Sequence, residues 1–197
     1  MSRLSSATLA TLPADVARPR YDRGAVRCGV VHLGIGAFHR AHQAVVFEQA
    51  LNAGDLRWGI VAASLRSPGV RDQMAPQDGL YTMLVRDGVA DRAQAVGAVQ
   101  QVIVAPEEPE ALLAALASPD THIVTLTVTE KGYKLDPATG GLIEGDAQVA
   151  ADLVSLKAPQ TAPGYLVAAL ARRKKEGLTP FTAISCDNLP HNGQRLR

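Results

Sequence analysis

From Val26 onward, short apolar runs rich in β-branched residues alternate with longer stretches rich in Ala and Leu. That order is the pattern of strands and crossover helices in a parallel sheet. The apolar runs predict strands at residues 28–33, 59–65, 81–86, 99–104, 122–128 and 181–186. Most are apolar at consecutive positions, as strands covered by helices on both faces must be. The run 81–86 alternates more and reads as an edge strand or a hairpin arm. Helices are predicted at 38–53, 109–117, 147–156 and 164–177, the third with Val149, Leu153 and Leu156 at helical spacing. The fold class that follows is α/β, a doubly wound and mostly parallel sheet over residues 26–197. Residues 1–25, rich in Ser, Ala, Pro and Arg without a period, are expected to form a loose arm that lies across a neighbouring surface.

Composition sharpens this picture mainly by exclusion. With 47% hydrophobic and 20% charged residues, the 197-residue chain buries a core of domain size. Twenty basic residues oppose nineteen acidic ones, so no global field favours nucleic acid or an anionic membrane. No apolar stretch approaches the ~18 residues of a membrane span, and no signal segment is evident, so a cytoplasmic location is expected. Cys28 and Cys186 fall inside predicted buried strands and are expected to be free thiols. The basic run Arg172 to Lys175 before Gly177 suits a helix C-terminus.

The chemistry concentrates at strand ends. RCGVVHLGIGAFHRAHQAVVFEQALNAG is a strand, a Gly-x-Gly turn and a long helix, the order a dinucleotide site needs. The turn admits the pyrophosphate to the backbone, and its charge meets free N–H groups at the helix start. Gly34 makes the turn and Gly36 permits the close approach, but His39 stands where the fingerprint has its third small residue. After the next strand, SLRSP carries no carboxylate for a ribose. Arg66 and Ser67 stand where a 2′-phosphate would be received; alternatively Ser67 caps a short helix with Pro68 in its first turn. Asp72, one helical turn on, is a further candidate for the ribose. TVTEKGY and SCDNLPHNG end two more strands in polar clusters, where ligands of open α/β sheets gather. His39 and His42 lie three apart, yet no third ligand accompanies them and no metal site is expected.

Together HLGIGAFHRAHQA, SLRSP, TVTEKGY and SCDNLPHNG resemble the mannitol dehydrogenase family of polyol-specific long-chain dehydrogenases, over roughly Val26 to the end. Mannitol 2-dehydrogenase, arabinitol dehydrogenase and fructuronate reductase (mannonate oxidoreductase) belong to it. The resemblance implies a Rossmann-type domain that binds NAD or NADP, followed by a helical C-terminal domain, absent here, that carries a catalytic lysine. It also implies hydride transfer at a secondary alcohol or ketone of an open-chain sugar alcohol or sugar acid. Carried over residue by residue, Gly34, Ile35, Gly36, Ala37 and Phe38 line the pyrophosphate, and Arg66 and Ser67 lie near the adenosine ribose. Thr129 and Lys131 sit close to the cofactor, and Asn188 holds the substrate oxygen, with Asn192 as the weaker candidate. NAD-preferring members carry acidic residues just after LRS, where this chain has Pro68 and Gly69. Two alternatives stand beside this reading. A non-catalytic NAD(P)-sensing module is one, and a methyltransferase is the other, although His32 and Leu33 occupy the place of its acidic residue. A domain separated from its helical partner is expected to expose apolar surface.

Overall fold

The computed structural model describes residues 3–196. Among these residues seven strands form two sheets. In chain order the elements are β1 (Val30–Leu33), α1 (Ala37–Ala41), α2 (Gln43–Asn52), β2 (Ile60–Ser64), α3 (Gly69–Met74), β3 (Tyr81–Arg86) and β4 (Asp91–Val96). They continue as β5 (Val99–Val104), α4 (Pro109–Ala117), β6 (Ile123–Leu126), α5 (Ala147–Val154), α6 (Ala162–Lys175), β7 (Thr182–Ser185) and α7 (Asn192–Arg195). The main sheet has the order β5-β2-β1-β6-β7 with every pair parallel. The chain therefore winds outward from β1 in one direction, returns, and winds outward in the other. That reversal is the switch point of a Rossmann-type sheet, and it lies between β1 and β6.

Alternate side chains of the buried strands feed two cores. Val31, Leu33, Val124 and Leu126 pack with Leu112, Leu113 and Leu116 of α4 and with Tyr165, Leu166 and Ala169 of α6. Val30, Ile60 and Ala62 face the other way, toward Ala44 and Leu51 of α2, Met74 of α3 and Val96 of β4. This two-sided cover explains why the strands read as continuous apolar runs.

Several sequence expectations change here. The first helix breaks at His42, whose φ and ψ of −123° and −73° lie outside the helical region. The break lets α1 press His39 onto the sheet while α2 turns Ala44, Glu48 and Leu51 inward. The run 81–86 is a hairpin arm, paired antiparallel with β4, which its polar sequence DRAQAV concealed. The cysteines are half-buried rather than buried: Cys28 precedes β1 in a single bridge to Trp58, and Cys186 follows β7. β7 is the edge of the sheet, and Thr182, Ala183 and Ile184 are exposed. α6 starts at Ala162, two residues early, because Thr161 caps it by accepting from Gly164 N at 3.0 Å, with Pro163 in the first turn.

The N-terminal segment lies across the neighbouring surface and is tied to it by hydrogen bonds. Arg18 donates to the carbonyls of Leu9, Ala10, Leu12 and Pro13. Arg23 reaches the carbonyls of Asp78, Gly97 and Val99. Tyr21 donates to the fully buried carboxylate of Glu48 at 2.7 Å, which also accepts from Gly97 N and Asn52 Nδ2. A buried carboxylate needs several donors, and this one has three.

Replacing Leu116, which is fully buried between α4 and the sheet, with Ala is expected to cost ~2–5 kcal/mol through lost burial and the cavity left behind. Val154→Ser, at a position 88% exposed, should change stability by less than about 0.5 kcal/mol. Denaturant unfolding of both variants checks the assignment of the core.

Candidate functional site

The turn after β1 is built by close backbone contact. Gly34 has φ +103°, and a Cβ there would stand 2.2 Å from the carbonyl oxygen of Thr127. Only glycine satisfies both conditions. Its own carbonyl accepts from Gly36 N at 2.6 Å and from the Thr127 hydroxyl at 2.7 Å. Gly36 differs: its φ is an ordinary −80°, it is exposed, and a Cβ would meet nothing closer than 3.8 Å. Its smoothness matters to whatever approaches from outside. The first backbone bond of α1 runs from Arg40 N to Gly36 O, so the N–H groups of Ala37, Phe38 and His39 lie ahead of the helical ladder.

Beneath the turn, the rings of His32 and His39 stack 3.5 Å apart at an interplanar angle of 10°. Both residues are fully buried. His32 Nε2 faces the Gly34 carbonyl at 3.1 Å and the Thr127 hydroxyl at 2.9 Å. A carbonyl only accepts, so Nε2 carries the proton and Nδ1 accepts from the Thr125 hydroxyl at 2.7 Å. Burial pushes His32 well below the usual imidazole range, and the neighbouring His39 adds to this. Burial likewise lowers His39 to about 4. The pair is thus neutral near pH 7, and stacked flat rings supply the close helix-to-strand packing that the missing third glycine would give. His39 faces the sheet and not the ligand side, and its Nε2 has no partner among the described residues. His42 is exposed, its ring tilted against Phe38 at 4.6 Å. Among the described residues no cluster of metal-ligating side chains occurs.

Two further strand ends complete the site. After β6, Thr129 adopts φ +67°, a strained conformation for a β-branched residue. Asp187, just past β7, holds it there: Oδ1 accepts from Thr129 N at 2.8 Å, and Oδ2 accepts from Val128 N at 3.1 Å and the Tyr133 hydroxyl at 2.8 Å. After β2, the Ser64 hydroxyl donates to Ser67 O at 2.6 Å and accepts from Ser67 N at 3.2 Å, pinning a turn with Arg66 near its apex. Ser67 does not cap α3; Pro68 occupies the cap position.

These ends enclose a cleft of about 500 Å³ at the switch point. Gly34, Ile35, Gly36, Arg66, Ser67, Thr129 and Lys131 line it, seven of the residues singled out from sequence. Ala37 and Phe38 do not; they begin α1 at its rim, with Phe38 largely exposed. Asn188 stands in an exposed turn outside the lining, next to Asp187, and Asn192 instead donates to the carbonyls of Ser185 and Asp187. Asp72 is held by Arg71 at 2.9 Å, away from the cleft. Sequence reasoning missed Val70, Lys134, Gln160 and Thr161 in the walls. The Thr-Ala-Pro start of α6 was the available signal for Thr161. Lys134 pairs with Asp146 at 2.7 Å and holds that carboxyl below the usual carboxylate range.

A Rossmann-type topology, a glycine turn at the switch point and an open cleft edged by cations define a Rossmann-type α/β domain with a candidate ligand site at its switch point. Comparison with known proteins is more specific: residues 28–197 match the family model described as the mannitol dehydrogenase Rossmann domain. The chain belongs to the mannitol dehydrogenase family, and the methyltransferase alternative falls with that membership. It is similar to a mannitol 2-dehydrogenase of Pyrenophora tritici-repentis, at 42% identity over 99% of this chain and 35% of the relative. It is also similar to an uncharacterized oxidoreductase of Escherichia coli, at 44% identity over 95% of this chain and 39% of the relative. The structure of Pseudomonas fluorescens mannitol 2-dehydrogenase in a ternary complex with NAD and D-mannitol superposes with a TM-score of 0.93 at 38% identity, over 98% of this chain and 40% of that one. The chain thus spans about two-fifths of the length of the relatives it matches.

Asp187→Ala is expected to destabilise the domain by ~1–3 kcal/mol, since it strands the Val128 and Thr129 amides; unchanged denaturant midpoints would contradict the anchoring role. The buried histidines set an acid limit. Unfolded His39 titrates near 6.5 and the folded residue near 4, so between those values the unfolded state binds more protons and stability falls as pH drops. The loss from His39 is on the order of 3 kcal/mol by pH 4. His39→Phe keeps a stacked ring without the proton and should flatten this slope in unfolding curves collected from pH 7 to 4.

Proposed function

We propose that this chain is the cofactor-binding part of an oxidoreductase that moves hydride between NAD or NADP and an open-chain sugar alcohol or sugar acid, of the mannitol/fructose or mannonate/fructuronate type. Family membership supports this reading, as does the similarity to a relative whose structure holds NAD and D-mannitol. The observation that carries it is Gly36: the chain itself leaves room for a side chain there, so the glycine serves an approaching ligand. A pyrophosphate over Gly34, Ile35 and Gly36 would meet the leading N–H groups of Ala37 and Phe38. A nicotinamide cofactor, when bound, would supply the redox chemistry: hydride would leave the substrate's carbinol carbon for it as the hydroxyl proton passes to a base, and the alcohol would become a ketone.

The chain's own residues position and exclude. Thr129 and Lys131 are assigned to the nicotinamide half of the cofactor, with Asp187, itself held by Tyr133, fixing the backbone at Val128 and Thr129. Asn188 is assigned as a donor to the substrate oxygen, where one such hydrogen bond typically contributes ~10²–10³ in rate. The base is assigned, through the family resemblance, to a lysine of a helical C-terminal domain. The unbridged thiols of Cys28 and Cys186 agree with a cytoplasmic location. Near-zero net charge argues against nucleic-acid or membrane partners.

Titration with NADH and NADPH, followed by nicotinamide fluorescence, tests the reading. Saturable binding that Gly36→Val weakens at least tenfold, with an unchanged melting temperature, is expected. No binding of either nucleotide, or binding indifferent to Gly36→Val, would overturn it.

A further inference from the structure

We propose that the cleft selects a dinucleotide carrying a 2′-phosphate, NADP over NAD, and that Arg66 and Ser67 are the selecting residues. The proposal rests on reading the cleft as a dinucleotide site and narrows that reading. In a Rossmann-type sheet the end of β2 meets the adenosine ribose, where NAD-binding domains place a carboxylate that accepts from the ribose hydroxyls and repels a phosphate. Here no Asp or Glu lines the cleft among the described residues. Asp72, the acid nearest in sequence, is paired with Arg71, and Arg71 is in turn paired with Glu107 beyond β5. That three-charge chain along α3 keeps the carboxylates off the cleft wall.

What the wall presents instead is cationic. Arg66 lines the cleft, is exposed, and makes no hydrogen bond or ion pair among the described residues. Its neighbour Ser67 offers an uncommitted hydroxyl, because the bonds of the turn use only its backbone N and O. The turn is therefore pinned by Ser64 while both side chains stay free for a ligand. A guanidinium binds a phosphate dianion through two parallel charge-assisted hydrogen bonds, whereas a neutral 2′-hydroxyl receives far less from it. Val70 adds an apolar surface beside them for the base.

The test is competitive titration of the chain with NADPH and NADH by nicotinamide fluorescence, repeated with adenosine 2′,5′-bisphosphate and adenosine 5′-monophosphate as displacers. NADPH is expected to bind at least tenfold more tightly than NADH, and the bisphosphate to displace at correspondingly lower concentration. Arg66→Ala should cut the NADPH-to-NADH ratio at least fivefold, and Arg66→Glu should invert it. Melting temperatures confirm that these exposed-site variants fold. Equal or tighter NADH binding, or a ratio indifferent to Arg66→Ala, overturns the preference and leaves the dinucleotide reading standing. Saturable binding of neither nucleotide overturns both.

Discussion

Where the sheet reverses direction, the loops after β1 and β6 must leave side by side and part around a ligand, and the backbone contact between Gly34 and Thr127 makes that possible. A side chain at Gly34 would collide with the Thr127 carbonyl, so the two strand ends would separate or the turn would open. The rest of the site is layered on this contact. The Thr127 hydroxyl and His32 fix the Gly34 carbonyl from below. His39 fixes His32 by stacking. On the other side, Asp187 draws the end of β7 toward β6 and holds Thr129 in its strained conformation.

The electrostatics divide sharply between floor and walls. Under the turn, the buried imidazoles are neutral, and His32 meets two threonines and a carbonyl, so no charge is stranded beneath a position suited to a phosphate. Around the opening, Arg66 and Lys131 face the cleft while the nearby carboxylates are occupied elsewhere, Asp72 by Arg71 and Asp146 by Lys134. Distributing charge this way leaves an anion-friendly cleft in a chain whose net charge is only +1. Exposed apolar side chains include Phe38 at the rim of this opening, Leu153 and Val154 of α5, and Ile184 on the edge strand β7.

The fold class was legible because burial on both faces of a parallel strand demands mostly consecutive apolar residues, and β1, β2 and β6 supply them, whereas the edge strand β5 carries Gln100 and Gln101. β4 was not legible: a two-stranded ribbon with one face in water tolerates DRAQAV, whose polar half hides its pairing with β3. The uncovered edge at β7 was also invisible, since Phe181, Ile184 and Cys186 give the same apolar reading whether or not a neighbour covers them. His39 was read as a defect in a glycine fingerprint because the sequence does not reveal that another imidazole lies 3.5 Å away.

By itself, then, the sequence determined what depends on neighbours along the chain: strand and helix types, the Gly34 turn, and the strand ends at which polar residues collect. Hydrophobic period and turn chemistry are local, so they survive in one dimension. Tertiary structure alone decided which of those polar residues share a cleft and which are consumed by one another. Arg66 and Asp72 lie six positions apart, yet one lines the cleft and the other is locked to Arg71. Asp187 reached a role at Thr129, 58 residues earlier, because only the parallel pairing of β6 with β7 brings their ends together.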